Sequence, residues 1–184
     1  MPKKPVILNC TPLTQSRLFA IEQVDLQFSN GKHCQFERIQ AGGSGAVMIV
    51  PLVNRHTVLM IREYCVGTDR YELTFPKGRI DDGEDVLNAA NREMMEEVGF
   101  ASKTLTHLRE MSIAPAYMNF ITHIVLAENL YKKSLQGDEP EILEQVEIDL
   151  VDLNNTMQRD DLNEARSIAT LYFIQDYLKT HEYK

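Results

Sequence analysis

Between Gly78 and Phe100 the chain reads GRIDDGEDVLNAANREMMEEVGF, and three of its glutamates, Glu93, Glu96 and Glu97, have the spacing of neighbours on one helix face. Glu93 and Glu97 stand one turn apart with Glu96 beside them. Like charges so placed cost a few tenths of a kcal/mol per pair, and anions near the negative end of a helix dipole lose roughly another 0.3–1 kcal/mol each. No lysine occurs between Asp85 and Phe100, so Arg92 is the one cation within the helix. A hard divalent cation turns both penalties into attraction, because carboxylate oxygens are preferred ligands of Mg²⁺ and phosphate oxygens can complete its shell. The plain alternative is a solvated acidic face, which most charged runs are. Val86, Leu87, Ala90, Met94 and Val98 make an apolar stripe, and Glu93 and Glu97 lie along its rim rather than opposite it.

The elements that must position this helix can be read around it. The pattern predicts a helix from about Glu84 to Val98, stopped by Gly99. Strands are expected at AVMIVPLV, TVLMIREY and YELTF before it, and near 104–112, 119–128 and 145–149 after it. A polar loop runs through KKSLQGDEPE, and a helical pattern occupies 162–180. Upstream, residues 18 to 40 read as a β-hairpin turning on Asn30-Gly31, and AGGSG from Ala41 to Gly45 separates it from the rest. That glycine stretch lacks the Gly-Lys-Ser/Thr ending of a phosphate loop and reads as a linker. Interleaved strands and helices predict an α/β or α+β sandwich, with helices over a mixed sheet.

At 184 residues the chain has room for one full core plus a small appendage. A net charge of −8 without basic stripes argues against nucleic acid or an anionic membrane as partner. Cys10, Cys34 and Cys65 are odd in number and widely spaced, which suits a reducing compartment. The apolar residues after Lys3 and Lys4 are too few for a secretory signal and the longest apolar run is too short to span a bilayer, so a cytoplasmic protein is expected.

The stretch fits Gly-x5-Glu-x7-Arg-Glu-U-x-Glu-Glu-x-Gly-U at every defined position, with Gly78, Glu84, Arg92, Glu93, Met94, Glu96, Glu97, Gly99 and Phe100 in place. It therefore resembles the Nudix hydrolases. The resemblance implies an α/β/α sandwich that uses Mg²⁺, or Mn²⁺ in its place, to hydrolyse a nucleoside diphosphate linked to another group. It implies Glu93 and Glu97 as metal ligands, joined by the carbonyl of Lys77, with Glu96 as a further ligand or water-orienting group. Glu84 and Arg92 are implied as an internal ion pair, structural like Gly78 and Gly99. Because a pyrophosphate repels nucleophiles, a carboxylate that accepts a proton is also needed. The resemblance implies that this base lies in a late loop, where Glu139 and Glu141 in GDEPEILE are the nearest matches, against the plain reading of a solvated turn around Pro140.

Pro115, sixteen residues beyond Gly99, and the segments IREYCVGTDRYEL, APAY, GDEPE and NEARS resemble the ADP-ribose pyrophosphatase branch, and within it the broader hydrolases of ADP compounds. Glu63, Tyr64 and Cys65 replace the Gln-Tyr-Arg common in ADP-ribose pyrophosphatases, so strict ADP-ribose specificity is not expected. ADP-ribose, NADH and diadenosine polyphosphates are the expected substrates, giving AMP and the phosphorylated remainder. Arg62, Glu72, Pro115 and Tyr117 are candidate substrate contacts, each with the plain alternative of an ordinary surface or core residue. The resemblance also implies two parts, an N-terminal β-arm over 1–43 that dimerises and a hydrolase domain over 44–184, hence a homodimer. A non-catalytic module sensing ADP-ribose or NAD is the rival reading. Its mark is a degraded metal constellation, and here that constellation is complete.

Overall fold

The computed structural model describes residues 2–40 and 42–181, so Ala41 of the linker and the last three positions of the expected hydrolase domain lie outside the described residues. Two units emerge. The first holds the chain up to Gly45 together with Ser112–Ile121, and the second holds Ala46–Met111 and the chain from Thr122 onward. A boundary drawn at residue 43 leaves out the 112–121 segment, which joins the first unit through the Ile39 amide donating to the Tyr117 carbonyl at 2.7 Å.

In the first unit β1 (Val6–Gln15), β2 (Ala20–Gln27) and β3 (His33–Gln40) form an antiparallel sheet in that order. The expected hairpin is β2–β3, but its turn is wider than two residues. Phe28 N–H donates to the Lys32 carbonyl at 2.9 Å, and Gly31, at φ 81°, donates to the Phe28 carbonyl at 2.9 Å. This is a three-residue loop with a left-handed glycine at the bulge position, the usual alternative to the two-residue turn. β1 was not expected at all. Its apolar residues are consecutive rather than alternating, and Pro12 cannot donate to a ladder, which suits only an edge strand; the register slips between Pro12 and Thr14.

The second unit runs β4 (Ala46–Asn54), β5 (Thr57–Cys65), β6 (Arg70–Thr74), β7 (Lys77–Arg79), α1 (Val86–Glu97), β8 (Phe100–Ser112), β9 (Ile121–Lys132), β10 (Glu144–Asp149), α2 (Leu153–Thr156) and α3 (Ala165–Thr180). Its seven-stranded sheet has the order β10-β5-β4-β9-β8, with β6 on β5 and β7 on β4. β4 runs parallel to β9 and antiparallel to β5, so the sheet is mixed.

Period-two alternation distributes its side chains between two cores. Met48, Val50, Leu52, Val58, Met60, Ile124 and Leu126 meet Leu171, Ile174 and Leu178 of α3. Val47, Ile49, Leu59, Ile61, Val125 and Ala127 meet Ala89, Ala90, Met94 and Val98 around α1. Both faces of the sheet are therefore covered by helix, the expected α/β/α sandwich. Continuous apolar runs such as AVMIVPL are what a strand buried on both faces requires.

Candidate active site on helix α1

Helix α1 begins where Asp85 caps it, accepting from the Leu87 amide at 2.9 Å, and ends at Gly99, whose φ of 70° stops the helix. Its C-terminal carbonyls are met by the following chain: the Leu135 amide donates to Met95, the Lys133 amide to Gly99, and Gln145 Nε2 to Val98 at 3.0 Å. These bonds satisfy groups that a helix end leaves open. They also lay the 133–143 loop along the last turns of α1. Glu96, Glu97, Glu139 and Glu141 accordingly line one cleft of about 340 Å³.

On the other side of the helix, β7 was missed in the sequence because three residues with a central glycine carry no strand pattern. It pairs Lys77, Gly78 and Arg79 with Met48, Val47 and Ala46 of the central strand. Gly78 then faces Glu93 so closely that an added Cβ would lie 1.9 Å from the Glu93 carboxyl carbon. The glycine is required by this close approach and by nothing in its own turn.

Arg92 holds most of the constellation. Its Nε and Nη2 grip Glu84 at 3.0 and 2.9 Å, the ion pair expected between loop and helix, and this pulls the Glu84 carboxyl below the ordinary range. Its Nη1 lies 2.8 Å from Glu93 and 3.1 Å from Glu96, while Nη2 also donates to the Arg79 carbonyl at 2.9 Å. Glu97 is served differently: the Lys77 amide donates to its Oε2 at 2.9 Å. What Lys77 presents to Glu97 is thus its N–H. The Lys77 ammonium reaches Glu63 at 2.6 Å and Thr74 at 3.1 Å.

Burial pushes the Glu97 carboxyl up to about 8, Lys77 opposing the shift. Glu93 is also raised by burial, which Arg92 partly offsets. Glu139 is raised by burial first, then by Glu63 and Asp138, whereas Glu141 accepts a hydrogen bond from the Tyr71 hydroxyl. The two loop carboxylates therefore sit in different surroundings.

Among the described residues no three acidic, His or Cys side chains already stand as a closed cation cage, because Arg92 draws Glu93 and Glu96 to itself. The donor set still fits a hard divalent ion. It offers carboxylate oxygens only, a glycine cradle under Glu93, and a Glu97 whose ionisation is unfavourable until a cation meets it.

The remaining candidates do not line that cleft, although Arg62 lines a second one that shares Glu141 and Ile142 with it. Arg62 is bonded to Glu144 and, at 2.8 Å, to Asp161, whose own carboxyl Arg159 and then Arg62 pull down to about 2. Glu72 is buried and paired with Arg70 at 2.7 Å, which lowers its carboxyl. Pro115 and Tyr117 belong to the first unit, where with Ile7, Val24, Leu26 and Phe36 they wall an apolar cavity of about 440 Å³. Sequence reasoning gave no role to Glu63 or Asp161. Parity along β5 was the available signal for Glu63, since Leu59 and Ile61 face α1 and Glu63 continues that face. Asp161 carried no signal, because its partners are 99 residues away or in an irregular turn.

The NudE-type Nudix hydrolase N-terminal domain matches residues 5–38 and the NUDIX domain matches residues 44–171. The chain is 49% identical over 177 residues to the ADP compounds hydrolase NudE of Escherichia coli (strain K12), covering 96% of this chain and 95% of that protein. It is 26% identical to the ADP-ribose pyrophosphatase of Bacillus subtilis (strain 168) over 153 residues, or 82% of each chain. A crystal structure of an ADP compounds hydrolase superposes with a TM-score of 0.89 at 47% identity, covering 100% of this chain and 99% of that one. With its signature helix intact and both domain matches in sequence order, the chain belongs to the Nudix hydrolases and, within them, to the NudE type.

Proposed function

We propose that this enzyme hydrolyses the pyrophosphate bond of ADP-X compounds, ADP-ribose, NADH and diadenosine polyphosphates among them, to AMP and the phosphorylated X, with Mg²⁺ as its metal. The observation that carries the reading is the convergence of Glu96, Glu97 and Glu139 on one cleft beside Glu93 in its glycine cradle. The names of the relatives, an ADP compounds hydrolase and an ADP-ribose pyrophosphatase, support the adenine nucleotide class.

Glu93 and Glu97 would hold the cation, with Glu96 beside them. Bound there, a divalent ion supplies Lewis-acid stabilisation of charge on the pyrophosphate oxygens and acidifies water. Arg92 is bonded to both Glu93 and Glu96, and its bonds to Glu84 hold the loop before the helix in register. Glu139, whose proton affinity is raised by burial, accepts the proton of the attacking water; one water is thereby added across the P–O–P bridge. Glu141, occupied by Tyr71, positions the loop. Pro115 and Tyr117, on the wall of an apolar cavity, are the side chains suited to the base or ribose of a substrate.

The same reading includes a homodimer built through the N-terminal sheet, supported by the apolar side chains that sheet leaves in water. A reducing, cytosolic setting is supported by the three free cysteines. No helix among the described residues is long and apolar enough to cross a membrane. The test is a panel of ADP-ribose, NADH, diadenosine triphosphate and GDP-mannose with Mg²⁺, reading released AMP or GMP. AMP from the adenine compounds is expected, and activity confined to the guanine sugar overturns the assignment.

A further inference from the structure

Strands β8 and β9 are neighbours at one edge of the seven-stranded sheet, and they bring two histidines together away from the carboxylate helix. Nδ1 of His123 lies 3.2 Å from Nε2 of His107, with ring centroids 5.2 Å apart and planes tilted by 49°. Glu110 Oε1 lies 3.8 Å from the same Nδ1. Hydrolysis as derived above uses none of the three.

Two imidazole nitrogens at this separation share one proton, one ring donating and the other accepting. The separation is also close to the bite of a chelate. Nitrogens bound about 2.0–2.1 Å from one tetrahedral ion stand about 3.3–3.4 Å apart, so the separation already suits an ion, which enters once both rings turn their lone pairs from each other toward one point beside the N–N line. Both rings are carried on paired strands rather than on a loop, which fixes that bite before any ion arrives. The His123 side chain is 15% exposed and so held by its neighbours, whereas His107 is exposed and keeps the site open to solvent.

We propose that His107, His123 and Glu110 form a separate cation site of two nitrogens and one oxygen, for a borderline divalent transition ion of the Zn²⁺, Ni²⁺ and Cu²⁺ class. Imidazole selects these ions over Mg²⁺, whereas the oxygen-only donors of α1 select the reverse, so one chain discriminates two classes of metal by ligand chemistry. The set is not closed as it stands, and Glu110 completes it by turning: its side chain is 59% exposed and free to move the remaining distance. An ion held there ties the edge strand β8 to β9, and strand-edge pairing is otherwise the part of a sheet most readily lost.

The experiment uses the full chain with millimolar Mg²⁺ present to occupy the carboxylate helix, and Cu²⁺ as the spectroscopic probe. One Cu²⁺ per chain is expected, with electron paramagnetic resonance splitting from two nitrogens, and added Cu²⁺ should displace Zn²⁺ bound beforehand. His107→Asn, at the exposed position, and His123→Asn should each remove the two-nitrogen pattern and weaken Zn²⁺ binding by about tenfold or more. Glu110→Gln should weaken it less, and Glu97→Gln should leave the splitting unchanged. A spectrum of oxygen ligands alone, or a two-nitrogen spectrum that persists in His107→Asn, overturns the site.

Discussion

Strands β1 and β4 lie in sheets of opposite character: β1 is exposed at all ten positions, whereas β4 is buried at seven of nine. Helices α1 and α3 cover the two faces of the seven-stranded sheet, so its apolar side chains are withdrawn from water within this chain. The three-stranded sheet has no helix of its own, and Val6, Ile7, Leu8, Leu13, Leu18, Phe19 and Phe36 remain exposed. Among the described residues of its strands only Val24 and Glu22 are buried, Glu22 pairing with Arg38 at 2.7 Å. A closed core can carry the strain of half-buried carboxylates on α1, because helix and sheet hold them in place regardless of charge. The open sheet has stability to gain only from something that covers it. On the proposed function, the metal-dependent chemistry belongs to the closed region and the dimer to the open one, and substitutions should separate them.

The largest effects belong to the closed region. Glu97→Gln removes the charge a cation needs while keeping the shape, and should lower kcat by about 10³-fold with the fold unchanged by circular dichroism. Turnover within tenfold of the parent removes Glu97 from the metal site. Gly78→Ala is subtler. The new Cβ displaces the end of a flexible side chain rather than backbone, so stability should change by less than about 1 kcal/mol while Glu93 is forced out of its cradle. An activity loss of about 10²-fold with an unchanged melting temperature is expected, and a folded variant of full activity shows that Glu93 does not need that position.

Much of this region was legible because local spacing determines it. Glu93, Glu96 and Glu97 share a helix face by period alone, Gly99 ends the helix by its left-handed backbone, and Glu84 and Arg92 pair as read. Other features depend on contacts the sequence does not display. The approach of Gly78 to Glu93 requires β7, too short for any periodicity, and the Glu63–Lys77 pair requires β5 and β7 to lie on the same side of the sheet. The open region was less legible for the same physical reason. With no helix to pack against, β1 has no buried face and so no alternation to reveal it.

A smaller effect, still in the closed region, is a pH dependence of stability. Burial holds the Glu97 carboxyl near about 8, so the folded chain binds that proton more tightly than the unfolded chain does. Stability contributed through Glu97 is then greatest below the unfolded value of about 4.3, falls as pH rises, and levels off above about 8, by a few kcal/mol at most. Asp161 slopes the other way. Held at about 2 by Arg159 and Arg62, it contributes stability above about 3.9 that is lost as pH falls through 2. Melts between pH 5 and 8 without added divalent ion leave Asp161 out, and comparison with Glu97→Gln separates Glu97 from Glu93 and Glu139, which burial also raises. The parent should lose stability across this window relative to Glu97→Gln, and Mg²⁺ should restore it; parallel curves contradict a strained Glu97.

The smallest effect on chemistry, and the clearest on assembly, should come from the open sheet. Leu8 and Leu13 are 50% and 48% exposed, and neither lines the cavity walled by Tyr117 and Phe36. Replacing both by Asp removes little burial from the single chain, so unfolding of that chain should change by only about 0.5–1 kcal/mol. In a dimer formed through this sheet the same carboxylates would be desolvated opposite their own copies, which costs far more than either loses in water. On the proposed dimer, the double variant should therefore sediment as a monomer at concentrations where the parent is expected to sediment as a dimer. The α1 carboxylates proposed to hold the cation lie in the unit with its own core, so Mg²⁺ should still raise the melting temperature of that monomer. A variant that stays dimeric shows that a different surface pairs the chains, and one that loses its response to Mg²⁺ shows that the closed region is not independent of the open one.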